Sequence, residues 1–144
     1  VKKRLLEAAL LFSGVLAASH AVAAQVSLSG AWFRALPSNL PAGGYFTLHN
    51  GGANIQLTGA QSPACGMLML HKSSEAGGMS SMMMVESVEV PAGASVEFSP
   101  GGYHLMCTGP TAAMTPGAQV PVTFKFSDGT TTTVNFAVKN ANGK

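Results

Sequence analysis

Two histidines and two methionines carry the chemistry that this sequence advertises. His71 is followed, after ten residues, by Met82; after 21 more come His104 and, two positions on, Met106. Imidazole nitrogen and thioether sulfur are both neutral donors. Thioether sulfur is soft, so it selects Cu(I) over hard cations. Zinc sites draw on Cys, His or carboxylate ligands, and two methionines argue against that metal. A set with neither thiolate nor carboxylate leaves a monovalent ion adequately neutralised and gives a divalent one little help. Imidazole donors must be neutral to bind, so retention should weaken as they protonate near their ordinary pKa of about 6.5.

Seven of the eight methionines fall between Met67 and Met106. Met is an adaptable core filler, and for Met67 and Met69, on the run leading into His71, packing competes with ligation. Met79, Met83 and Met84 are candidates for a secondary soft site; as neighbours of Met82, Met83 and Met84 offer a substitute for it, and the methionine-rich stretch also suits a docking surface. His49 is expected to be an ordinary strand histidine. Tyr103 is placed either as a shield over the metal or as a packing aromatic.

These donors need a scaffold that brings them together. Short runs separated by turn signals every ~8–12 residues indicate an all-β sandwich or barrel. The predicted strands are 25–35, 43–50, 55–60, 65–71, 82–90, 95–98, 103–108, 119–126 and 130–138. A loop is expected over Ser73–Gly78, and a flexible tail over 140–144. Val122, Phe124 and Phe126 alternate with polar residues, as do Val134, Phe136 and Val138, the pattern of half-buried strands. His71 ends one predicted strand and Met82 begins the next. His104 and Met106, two apart, leave one face of a third. All four then meet at an accessible rim of the sandwich.

Residues 1–23 have the build of a cleavable secretory signal, with 24–144 as the single folded domain. Lys2, Lys3 and Arg4 precede an apolar run ending near Ala18, and Ala21-Val22-Ala23 offers small residues for cleavage. The run is too short for a membrane span of ~20 residues, and no cysteine stands at the cleavage point to carry a lipid. Without this segment, five Lys or Arg remain of eight, and five Asp or Glu of six, for a formal net charge of zero. There is no basic patch for nucleic acid. No Ser-His-Asp or Cys-His motif marks an enzyme.

Cys65 and Cys107 allow three readings. A disulfide leads, since an even pair in a secreted chain usually bridges. Copper–thiolate ligation comes second, with Cys107 on the wrong face of its strand, and two free buried thiols third. The second would permit a blue-copper electron carrier built from His71, His104, Cys107 and Met106. A metal-free interaction module is the remaining alternative.

The spacing His-x10-Met-x21-His-x-Met resembles the motif of the periplasmic copper chaperones called PCu(A)C. Ala31-Trp32-Phe33-Arg34-Ala35, Ala42-Gly43-Gly44-Tyr45-Phe46 and Pro100-Gly101-Gly102-Tyr103-His104-Leu105-Met106 extend the resemblance over most of the chain beyond the signal. Lys72 departs from members that carry Met directly after the first histidine. The resemblance implies a cupredoxin-like Greek-key β-sandwich, monomeric and periplasmic, with one Cu(I) per chain on His71, Met82, His104 and Met106. It implies delivery toward the CuA centre of cytochrome c oxidase subunit II, alongside a Sco-type partner.

Overall fold

A computed structural model describes residues 25–144; the signal segment expected over 1–23 lies outside them. Ten strands follow one another: β1 Val26–Arg34, β2 Ala42–Asn50, β3 Ile55–Gln61, β4 Cys65–Ala76, β5 Met79–Met84, β6 Val88–Val90, β7 Ser95–Phe98, β8 Tyr103–Pro110, β9 Gln119–Phe126 and β10 Thr131–Lys139. A single 3-10 turn, Pro37–Asn39, is the one helical element among the described residues. None of their helices is long and apolar enough to cross a membrane.

Period-two alternation builds the core, because successive side chains of a strand point to opposite faces. In β9, Val120, Val122, Phe124 and Phe126 are buried while the residues between them are more exposed. These side chains meet others from distant strands. Phe46 of β2 stacks on Phe98 of β7 at 4.3 Å between ring centroids and lies edge-on to Phe124 of β9 at 5.0 Å. Phe33 of β1 meets Phe136 of β10 at 4.9 Å. Offset and edge-on pairs of this kind are favoured aromatic geometries. Leu70 and Leu105 join the same buried cluster.

The strands run β5-β4-β8-β7-β2-β1-β10-β9-β3-β6, with β8 also paired to β2. Most neighbours are antiparallel, while β1–β10 and β7–β8 are parallel. The Greek-key sandwich expected from the sequence is the architecture observed. Gly44 shows how tightly the layers meet: a Cβ there would lie 2.7 Å from the Phe33 ring and 3.0 Å from Leu105 Cβ. No larger residue fits without moving one of them.

Two predicted boundaries need correction. The Ser73–Gly78 loop is instead the continuation of β4 to Ala76, closed onto β5 by a turn at Gly77-Gly78. Both glycines have positive φ, 61° and 78°, as a two-residue hairpin turn requires. The predicted strand 82–90 is two strands. β5 pairs with β4 at one edge of the sheet, and β6 pairs with β3 at the other. Val88 and Val90 are buried, whereas every β5 residue is exposed. One strand could not serve both environments.

Candidate metal centre

The β4–β8 ladder runs in unbroken register from Cys65↔Pro110 to Lys72↔Tyr103. Leu70 pairs with Leu105 and turns inward to the core. The alternating residues then share the outer face. His71 stands opposite His104, and Met69 opposite Met106. The two imidazoles lie edge to face with centroids 5.6 Å apart.

Both rings hold a nitrogen in reserve. His104 Nδ1 lies 3.3 Å from the Gly102 carbonyl oxygen. A carbonyl only accepts, so Nδ1 is the donor, and a neutral ring then carries its lone pair on Nε2. That Nε2 is buried and has no hydrogen-bond partner; neither has the buried Nδ1 of His71. Buried polar atoms are ordinarily satisfied, so two orphaned imidazole nitrogens side by side suit a ligand. Burial, and secondly repulsion by a charge on His104, hold the His71 pKa below the usual imidazole value. Both causes favour the neutral form that can donate to a metal.

Met82, His104 and Met106 line one open cavity of about 390 Å³, together with Ser73, Gly43, Tyr45 and Arg34 among others. Three of the four predicted ligands therefore share a cavity, and the fourth, His71, is the cross-strand neighbour of His104. The site is less uniformly accessible than the rim expected from sequence. Met82 is 61% exposed, but His104 is only 4% exposed. Among the described residues no group of three or more His, Cys, Asp or Glu side chains is gathered for a metal.

The hairpin departs from the sequence expectation in one respect. The register pairs Ser73 with Met82 and His71 with Met84. Met82 is thus two rungs beyond His71, the next position on the same face, and Met84 is directly across from it. Met83 faces Lys72, on the opposite face, and Met79 pairs with Ala76 beside the turn. Met67 is exposed, which removes core packing as its explanation, and Met69 is half-buried. Tyr103 does not cover the site. It turns to the core side, stacked 5.5 Å from Phe98, with the Lys72 ammonium 5.0 Å above its ring. His49 is bonded to Ser95 at 3.0 Å, far from these residues in the sheet.

Cys65 and Cys107 form a disulfide. Both cysteines of the chain are consumed, so no thiolate remains for a blue-copper centre. The bridge fastens β4 to β8 at the end of the ladder away from the histidines.

Sequence reasoning missed Arg34 and Tyr45. Arg34 pairs with Gly43, which pairs in turn with Met106. Gly43 has no side chain to fill the space between, and the Arg34 guanidinium spans Trp32 and Tyr45 at 5.3 and 5.5 Å from their ring centroids. Trp32 and Arg34 alternate onto one face, which the sequence shows; their adjacency to β8 depends on long-range pairing, which it does not.

Residues 26–138 match the family model LpqE-like, described as "Putative lipoprotein LpqE-like". A protein described as "Putative lipoprotein Lxx21020", from Leifsonia xyli subsp. xyli, is 34% identical over 119 residues, which are 82% of this chain and 72% of that protein. The solution structure of CuI-DR1885 from Deinococcus radiodurans is 33% identical, with a TM-score of 0.63 over 76% of this chain and 75% of that one. The copper-bound PCuAC domain from PmoF2, 19% identical, superposes with a TM-score of 0.67 over 81% of this chain and 93% of that domain. The fold is that of PCuAC domains, as the His–Met spacing implied, and the protein belongs to the LpqE-like family.

Proposed function

We propose that this protein is a Cu(I) metallochaperone that acts outside the cytoplasm, binding one ion per chain through His71, Met82, His104 and Met106. The observation that carries the reading is the pair of orphaned imidazole nitrogens, His71 Nδ1 and His104 Nε2, beside thioethers from two different strands. Neutral nitrogen and soft sulfur suit a monovalent soft ion. The positive charge of Arg34 on the cavity wall repels a divalent ion about twice as strongly as a monovalent one. Relatives in the fold are described as copper-bound and as a Cu(I) form.

The carrier is periplasmic and non-enzymatic. The disulfide supports an oxidising compartment, where thioethers serve as soft donors without being lost to disulfide formation. The mechanism is ligand exchange: the exposed Met82 yields first to a recipient's donors while the half-buried His71 and the buried His104 hold the ion. Following the family resemblance, the recipient is the CuA centre of cytochrome c oxidase subunit II, with a Sco-type protein as partner. Anaerobic Cu(I) titration with X-ray absorption tests the reading. One Cu(I) per chain with mixed nitrogen and sulfur neighbours is expected; absence of stoichiometric binding overturns it.

A further inference from the structure

β5 offers the metal face a thioether that the four-residue motif does not contain. His71, at the centre of a three-strand rung, has His104 on one side and Met84 on the other. Residues directly opposite in an antiparallel pair have Cβ atoms about 4.5–5.5 Å apart, against roughly 7–8 Å on the diagonal. Met84 is therefore nearer to His71 in the ladder than Met82, which stands opposite Ser73. Residues 82 and 84 share the outer face with His71 and Ser73, because alternation returns every second side chain to the same side. Met83 is turned away. Met84 is 65% exposed, and β5 is an edge strand, so nothing in the core fixes its thioether.

We propose that Met84 is a further copper ligand, interchangeable with Met82 at the same ion, so that β5 holds Cu(I) through either of two thioethers. This rests on the copper-binding reading above. In the exchange one Cu–S bond forms as the other breaks. Both donors are neutral, so no proton or electron moves, and the ion keeps His71, His104 and Met106 throughout. Two sulfurs on one exposed strand let the ion loosen on the solvent side without leaving its nitrogens, and that is the side from which a recipient must approach.

The test is Cu(I) affinity, measured by anaerobic competition with a bathocuproine chelator, for the wild type and the variants M82L, M83L, M84L and M82L/M84L. All three positions are exposed, and Met-to-Leu is a volume-conserving exchange, so unchanged thermal unfolding of each apo variant is the control for folding. M82L and M84L should each weaken binding by less than about tenfold, and the double variant by about a hundredfold or more, on the scale of ~1.4 kcal/mol per decade. M83L should match the wild type. X-ray absorption of M82L should show the same sulfur count as the wild type. The proposal is overturned if M82L alone loses as much as the double variant while M84L binds normally, or if the double variant binds as the wild type does. If the wild type takes up no Cu(I), the copper reading itself has failed, and the proposal with it.

Discussion

His71 and His104 face each other across the β4–β8 ladder, with ring centroids 5.6 Å apart and one buried, unpartnered nitrogen on each. If those nitrogens are metal donors, replacing one should affect binding far more than folding. His104→Gln keeps a polar side chain of similar reach but supplies no imidazole. Cu(I) affinity should fall by about tenfold or more, at ~1.4 kcal/mol per decade. Because His104 is buried, a modest fall in Tm is also expected; chelator competition read beside thermal unfolding separates the two effects.

The lowered pKa of His71 makes the apo protein sensitive to acid in a defined window. The unfolded chain takes up a proton near pH 6.5, while the folded chain resists it until the lower His71 value. Between those values the unfolded state binds more protons, so stability falls as pH drops through 6.5 and levels off below the folded pKa. Above pH 6.5 this group contributes no slope. Urea unfolding of the apo protein at a series of pH values checks the sign, and His71→Gln should remove that component of the slope.

Reduction of the Cys65–Cys107 bridge opens a loop with a sequence separation of 42 residues. Loop-closure entropy for that length corresponds to about 4 kcal/mol in the chain-entropy model, and measured losses usually run from about 2 to 5. Cys65→Ser/Cys107→Ser should lower stability in this range. Cu(I) stoichiometry at temperatures where the variant is folded should be unchanged, since the thiols are not donors. A titration before and after the substitution reads both.

Asn50 provides a control remote from the donors. Its buried side-chain amide donates to the carbonyls of Val90 at 2.9 Å and Ala53 at 2.7 Å, while its Oδ1 accepts from Gly52 N–H at 2.9 Å. Asn50→Ala removes one buried and two part-buried hydrogen bonds and should cost about 1–2 kcal/mol. Chemical denaturation should show that loss, and Cu(I) affinity should stay at the wild-type value.

Much of the fold was legible because local signals agreed. In β9 and β10, Val122, Phe124, Phe126 and Phe136 alternate, and Asp128-Gly129 marks the turn between them. The proposed donor set could be named from the sequence, because His71, Met82, His104 and Met106 are unusual together at that spacing. Cross-strand register was not. Gly77-Gly78 marks a turn, but Ser73-Ser74-Glu75-Ala76 carries no apolar alternation to show that the strand continues up to it. Continuous pairing up to that turn is what sets Met84, and not Met82, across from His71. The break after Met84 was hidden for a related reason: Val85-Glu86-Ser87 contains no Gly or Pro to mark it. Arg34 reaches the cavity through two successive strand pairings, with Gly43 and then from Gly43 to Met106, the second between residues far apart in sequence.

Leu70 and Leu105, paired beneath the histidines and sealed in the core, set how metal capture relates to folding. The imidazoles are seated before any ion arrives, on a backbone whose other side cannot shift without opening the hydrophobic interior. If His71, His104 and the β5 thioethers are the copper donors, loading draws its ordering cost from the exposed methionine side chains of β5 and leaves the rest of the sandwich alone. A carrier arranged in this way can fill and empty repeatedly while its stability and shape stay nearly constant.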